Sequence, residues 1–364
     1  MPNSPRRSPL DSVHRAAGAV FTEFGGWDLP LRFGSELAEH HAVRAAAGLF
    51  DLSHMTQIAL EGPAAGDGLD HALLGQHSTM SEGRASYSML LAEGGGVIDD
   101  LIVYRLAPER FFVVANAANH GVVLAELTAR LADFGVVPVD LTPTRTLLAV
   151  QGPKATAILL AAGASEAAAL GYYRAVETTL GGWPVILART GYTGENGFEI
   201  SAPSAAAAPL WSALLAAGGP FGLVPVGLAA RDTLRLEAAM PLYGHELDLD
   251  TTPEEGGQGA FVRAKSGDFV GKAALAARAP RKSLIGLAGD GRRAARAGYP
   301  VLIDGVTRGR VTSGALSPTL GHPIALASVT GAAPPVGAAV EVDIRGRLTP
   351  FRVVPLPFHT KEKP

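Results

Sequence analysis

The 364-residue sequence contains no cysteine. That absence excludes a disulfide scaffold, a thiolate nucleophile and any cysteine-ligated metal or iron–sulfur site. Charge is also scarce, with 18% of residues acidic or basic and a formal net charge of −3. A near-neutral chain with no run of five Lys or Arg lacks the positive footprint that nucleic acids require. No apolar run approaches the ~18 residues of a membrane span. Met1–Val20 carries Arg6, Arg7, Asp11, His14 and Arg15 where a signal peptide needs an unbroken apolar segment. These absences predict a soluble, cytoplasmic protein with neither nucleic acid nor membrane as partner. Only six of the 31 basic residues are lysines, a bias to which no function attaches.

Standard catalytic signatures are missing too. There is no G-x-S-x-G elbow and no G-x-G-x-x-G after a strand, so nothing points to a bound nucleotide. Gly267–Lys272 resembles a phosphate loop, but only three residues separate its glycines and Ala273 replaces the hydroxyl that would meet magnesium; it reads as a loop entering a helix. Adjacent His40 and His41 point apart on a helix and cannot hold one metal together. They read as a solvated pair, and no metal site is expected.

What is present is bulk for two or three cores, with 47% hydrophobic residues, 44 glycines and 26 prolines. So many turn formers favour a mixed fold over a helical bundle. Helical spacing predicts helices over Glu36–Phe50, ending near Gly48, and over Pro63–Leu74, Ala118–Phe134, Ala205–Ala217 and Gly227–Met240. Alternation predicts strands at Gln57–Leu60, Ser86–Ala92, Val97–Leu106, Arg110–Ala115 and Leu147–Val150, and a hairpin over Thr179–Arg189 around Gly181-Gly182. Beyond Lys282 come six short β runs with turn signals between them: Leu284–Leu287, Val301–Ile303, Arg310–Ser313, Ile324–Thr330, Ala338–Ile344 and Phe351–Pro355. That spacing predicts a small antiparallel barrel or sandwich as a separate C-terminal domain.

Three stretches stand out from ordinary scaffold. In Val97–Tyr104, adjacent Asp99 and Asp100 interrupt an otherwise apolar strand and fall on opposite faces. They form either a solvated strand edge, or a pair in which at least one acid is withdrawn from solvent and needs a partner or a task. Arg189–Ile200 packs Gly191, Gly194 and Gly197 around Tyr192, with Glu195 and Glu199 at the edges, either a hairpin turn or a binding loop. Gly227–Glu237 sets Arg231 and Arg235 one helical turn apart, with Asp232 and Arg235 at the spacing of a surface ion pair.

With Gly25–Leu31, Ala42-Val43-Arg44, Gly48–Met55, Gly95–Asp100, Val114–Asn119, Gln151-Gly152-Pro153, Leu242-Tyr243-Gly244, Asp268–Lys272 and Thr312–Gly321, these stretches follow one order along nearly the whole chain. In that order the sequence resembles the T-protein family, the aminomethyltransferases of the glycine cleavage system. The resemblance implies an α+β fold, a three-lobed cloverleaf around a central folate channel with a C-terminal antiparallel β-barrel. Its lobes would fall at residues 1–54, 55–140, 141–275 and 276–364, the first and third forming one folate-binding domain with a connecting segment. It implies an enzyme that passes an aminomethyl group from the dihydrolipoyl arm of a lipoylated H-protein to tetrahydrofolate, which serves as co-substrate and supplies the nucleophile. No metal or nucleotide is implied.

By the same resemblance Asp100 is the catalytic acid near the reactive folate nitrogens. Glu199 reads the pterin amide and amino edge, Arg231 lies beside folate, and Met55, Tyr87 and Tyr192 wall its rings. Asn116 lines the same hole, and His359 stands where the family has an aromatic hydroxyl that contacts folate. Three segments depart from the family pattern: Gln76-His77-Ser78, Gly257–Ala260, which lacks the usual Leu and Trp, and Pro357-Phe358-His359. The departures leave open a stand-alone folate-dependent demethylase of a methylated small molecule. A non-enzymatic folate-binding assembly protein would carry a cysteine-containing signature that this chain lacks.

Overall fold

In the computed structural model, which describes residues 4–360, Ser35 accepts a hydrogen bond from Ala38 N at 3.4 Å and starts the helix Glu36–Ala45. The ends of the expected outer lobes, residues 1–3 and 361–364, lie outside the described residues. The helix stops short of Gly48, which instead sits inside the buried strand Ala47–Asp51. A Cβ at Gly48 would come within 2.5 Å of Val226 and 2.6 Å of Val43. The glycine therefore serves close packing rather than a helix stop. His40 is fully buried on the inner face of this helix while His41 is exposed, which corrects the reading of a solvated pair.

The chain divides into two units, one made of Met1–Ser88 and Leu101–Arg231, the other of Met89–Asp100 and Asp232–Pro364. In the first unit, six strands run in the spatial order Ala175–Leu180, Trp183–Ala188, Gly197–Pro203, Arg145–Gln151, Ala47–Asp51 and Leu223–Pro225, antiparallel except for the last pair. Leu148, Val150, Phe198 and Ile200 from this sheet share a core with Ile158, Leu210 and Trp211 of the helices Ala155–Ala161 and Ala207–Gly218. A second sheet has the order Arg84–Leu91, Val97–Ala107, Arg110–Ala115, Thr56–Glu61 and Val139–Asp140. The predicted helix after it is broken into a 3-10 turn at Ala117–Asn119, an α-helix at His120–Leu131 and a second 3-10 turn at Ala132–Phe134; Val123, Leu127 and Leu131 form its buried stripe. A third, small sheet joins Arg6–Arg7, Trp27–Arg32 and Val20–Phe24.

The second unit contains the barrel that the sequence predicts. Lys282–Gly289, Pro323–Thr330, Val306–Leu316, Pro300–Ile303, Ala339–Asp343 and Leu348–Val354 pair antiparallel in that order and close on themselves. Alternation sends Ile285, Leu287, Val301, Val340 and Phe351 into one core. Ile324 and Leu326 face the other way and cluster with Leu236, Leu320 and Phe358. Among the described residues no helix is long and apolar enough to cross a membrane.

Candidate active site

Glu199 lies on the strand Gly197–Pro203, paired with Ala149 on one side and Ala188 on the other, and is half-buried. Its Oε2 accepts a short hydrogen bond from Thr190 Oγ1 and a longer one, 3.4 Å, from the Tyr104 hydroxyl. Tyr104 is 2% exposed and its oxygen also lies 3.3 Å from Thr190 Oγ1. Burial, and then the negative charge of Glu199, push the Tyr104 phenol well above its ordinary pKa, so it stays protonated and can donate. Burial likewise raises the phenols of Tyr172 and Tyr173, with a further contribution from Glu199.

The loop from Thr190 to Gly197 is wrapped on a buried side chain that motif reading leaves without a role. Gln151 donates from Nε2 to Thr190 O at 3.0 Å and accepts at Oε1 from Thr193 Oγ1 at 2.9 Å. A Cβ on Gly191 or Gly197 would approach the same amide to 2.0 or 2.3 Å. These two glycines are there because the backbone touches Gln151 from both sides. From outside, Arg44 donates to Thr193 O and to Glu195 Oε1, each at 2.8 Å, in a nearly dry ion pair. The loop so held presents Tyr192 with the Arg231 guanidinium 4.7 Å above its ring centroid, a cation–π contact.

Arg231 stands at the start of the helix Leu228–Glu237, whose entry is fixed by another buried acid. Glu39, 5% exposed, accepts Phe33 N and Gly34 N on Oε1 and Gly227 N on Oε2, at 2.8–2.9 Å. Beneath, the fully buried His54 is pushed down to about pKa 4, first by burial and then by the Arg231 charge, with Asp51 opposing. His54 is therefore neutral at physiological pH. For Asp51 burial is the largest influence and raises its pKa, but hydrogen bonds from His14, Ser53 and Ser8, together with the His14 charge, outweigh it and hold the carboxyl below its ordinary range. Asp51 and Arg231 line a cavity of about 10 Å³ among Leu29, Phe33, Phe50 and Val226, room for roughly one water and far too small for a pterin.

Of the remaining expected residues of this unit, two flank a strand end and one lies within a strand. Thr56 pairs with Ala115, so half-buried Met55 and Asn116 flank the same end of that strand pair. Tyr87 is half-buried in the strand Arg84–Leu91.

Asp100 and His359 belong to the second unit. Asp99 is fully buried and Asp100 half-buried, so one acid is indeed withdrawn from solvent. Their strand is clamped at its start: Val97 N donates to Asp248 O and Thr251 O at 3.0 and 3.1 Å, and a Cβ on Gly96 would collide with Leu249 O at 1.7 Å. Burial, followed by the charges of Asp99, Asp248 and Asp100, raises the Tyr243 phenol. His359 is half-buried, its backbone N–H bonded to Glu237 O at 2.9 Å. The Glu237 carboxylate is fully buried and accepts Ser317 Oγ, Thr319 N and Thr319 Oγ1. Arg235 corrects the surface-pair reading. It bonds Asp232, but its side chain is 1% exposed and also engages Glu246 Oε2 at 3.0 Å and Ser313 Oγ at 2.8 Å.

Two of the three altered segments are well integrated. Asp70 accepts bonds from Gln76 Nε2, His77 N, Ser78 N and Ser78 Oγ. Gly257 adopts φ +78° and Gly259 opens the short helix Gly259–Ala264. Lys272 bonds back to Gly267 O at 2.9 Å, the loop-into-helix arrangement read from the sequence.

Residues 10–266 match the GCVT N-terminal domain family, and residues 282–359 match the glycine cleavage T-protein C-terminal barrel domain. The chain belongs to the glycine cleavage T-protein family. It is 52% identical to the aminomethyltransferase of Streptomyces avermitilis over 99% of both chains, and 45% identical to that of Moorella thermoacetica over 98% of this chain and 99% of the relative. The crystal structure of the glycine cleavage system aminomethyltransferase T from Bartonella henselae superposes with a TM-score of 0.91 at 39% identity, covering 98% of each chain.

Proposed function

We propose that this chain is a tetrahydrofolate-dependent aminomethyltransferase. It transfers the aminomethyl carbon carried on the dihydrolipoyl sulfur of an H-protein to tetrahydrofolate, releasing ammonia, the free dithiol and 5,10-methylenetetrahydrofolate. The observation that carries this reading is identity of about half with aminomethyltransferases over nearly the whole of each chain, with both family domains matched. The cytoplasm is the compartment that goes with it.

The chemistry asks little of the protein beyond placement and charge. The carbon–nitrogen bond of the aminomethyl group breaks as ammonia departs, leaving positive charge on the transferred methylene. The folate 5-nitrogen and then the 10-nitrogen form the new bonds as the carbon–sulfur bond is released. In this proposal the Asp100 carboxylate stabilises the developing cation and holds the folate nitrogen that loses a proton. Glu199 accepts the pterin's amide and amino donors, while Arg231, held over Tyr192, orients folate beside them.

The test is to supply aminomethyl-loaded H-protein with tetrahydrofolate, and separately tetrahydrofolate with N-methylated amines. Methylenetetrahydrofolate and ammonia in the first assay support the proposal. Product from a methylated amine alone would select the demethylase instead.

A further inference from the structure

Glu199 offers its two carboxylate oxygens unequally. Oε2 is occupied by the Thr190 hydroxyl and by the Tyr104 phenol. Among the described residues no donor reaches Oε1. Thr190 is itself fixed at two points, since its carbonyl is held by Gln151 Nε2 while its hydroxyl holds Glu199. It is 3% exposed, so the fixing takes place in a nearly dry setting where a charge-assisted hydrogen bond is strong. Behind it, the buried Tyr104 phenol lies within 3.4 Å of both groups and donates to one or the other. Burial, with a further contribution from the Glu199 charge, raises the phenols of Tyr172 and Tyr173, and both stay neutral.

We propose that Thr190, pinned by Gln151 and backed by Tyr104, is a positioning residue that locks the rotamer of Glu199 and turns it into an acceptor presenting Oε1 to the ligand. The proposal rests on the reading of Glu199 as the pterin acceptor. A free glutamate would lose side-chain entropy on binding; one already held by Thr190 has lost it on folding. Thr190 thus acts on affinity for the amide and amino edge of the pterin, and touches neither the reacting carbon nor the folate 5-nitrogen.

The experiment is a double-mutant cycle read by calorimetric titration with tetrahydrofolate. Thr190→Val keeps the shape and removes the hydroxyl, with an expected loss of affinity of about 3- to 10-fold and kcat at saturating folate unchanged. Thr190→Ser should restore wild-type affinity. Glu199→Ala alone should weaken binding ~10- to 100-fold. In the Glu199→Ala background, Thr190→Val should cost nothing further, because its only route to the ligand is gone.

Equal losses from Thr190→Val with and without Glu199 would overturn the proposal, since the threonine would then act through the loop at large. Unchanged affinity in Thr190→Val beside a weakened Glu199→Ala would also overturn it, leaving the Glu199 reading intact. Unchanged affinity in Glu199→Ala would instead remove Glu199 from the site. Should Thr190→Val fail to fold, Tyr104→Phe runs through the same cycle, with a smaller loss that again vanishes without Glu199.

Discussion

Asp51 is an ionised acid in a dry place, and the residues that keep it so come from two separate segments. Ser8 and His14 donate from the N-terminal stretch, and Ser53 N donates from the turn just beyond its own strand. Its folded pKa is held below the ordinary value, so its contribution to stability is complete above the unfolded value near ~3.9 and is lost as pH falls through the folded one. Asp51→Asn is expected to cost about 1.5–3 kcal/mol at pH 7, and the gap between mutant and wild type should narrow as pH is taken below about 4. Denaturant midpoints across pH measure this; a gap independent of pH would contradict it. None of this network is legible in the sequence, because Ser8, His14 and Asp51 carry no shared spacing. Tyr192, Glu199 and Arg231 were legible as motif members. The side chains that hold them in place, Tyr104, Gln151 and Glu39, carry no such signal, because a side chain that holds another is identified by contact rather than by residue type.

At the level of elements, the helix Leu228–Glu237 carries an arginine to each unit, Arg231 to the Tyr192 loop and Arg235 to Glu246 and Ser313. The sequence reads Arg235 as half of a surface pair because Asp232 is the only partner at helical spacing; Glu246 and Ser313 are 11 and 78 residues away. Removing one partner of a buried ion pair strands the other's charge, so Arg235→Ala is expected to cost about 3–5 kcal/mol. Chemical denaturation followed by intrinsic fluorescence would register it, and a loss under 1 kcal/mol, typical of an exposed pair, would restore the surface reading. The Tyr192 loop gives the complementary case. Its glycines were visible, but the reason for two of them is the Gln151 amide, so Gly191→Ala is expected to push Gln151 aside and weaken folate binding along with the loop. Wild-type folate affinity in a well-folded Gly191→Ala would show that the loop tolerates the shift.

For the molecule as a whole, the barrel was the most legible part. Each of the six predicted β runs falls on one of its six strands, four of them wholly inside, with Ala338–Ile344 overrunning by one residue at each end and Phe351–Pro355 by one residue at its C-terminal end, because each alternates between a filled interior and an outer surface. The division into units was not legible. Met89–Asp100 leaves the segment that precedes it and joins residues beyond Asp232, through backbone bonds such as Val97 N to Asp248 O, and local pattern carries no trace of such a long-range pairing. Asp100 lies at the end of that excursion, the last residue before the chain returns to the first unit.

The role proposed for the Asp100 carboxylate lies in the transition state of aminomethyl transfer. Its most direct test is a single-turnover measurement of methylenetetrahydrofolate formation from aminomethyl-loaded H-protein at saturating tetrahydrofolate, comparing wild type with Asp100→Asn. The predicted result is a rate at least ~100-fold lower in the mutant with folate affinity changed far less. A mutant that forms product at close to the wild-type rate would contradict it.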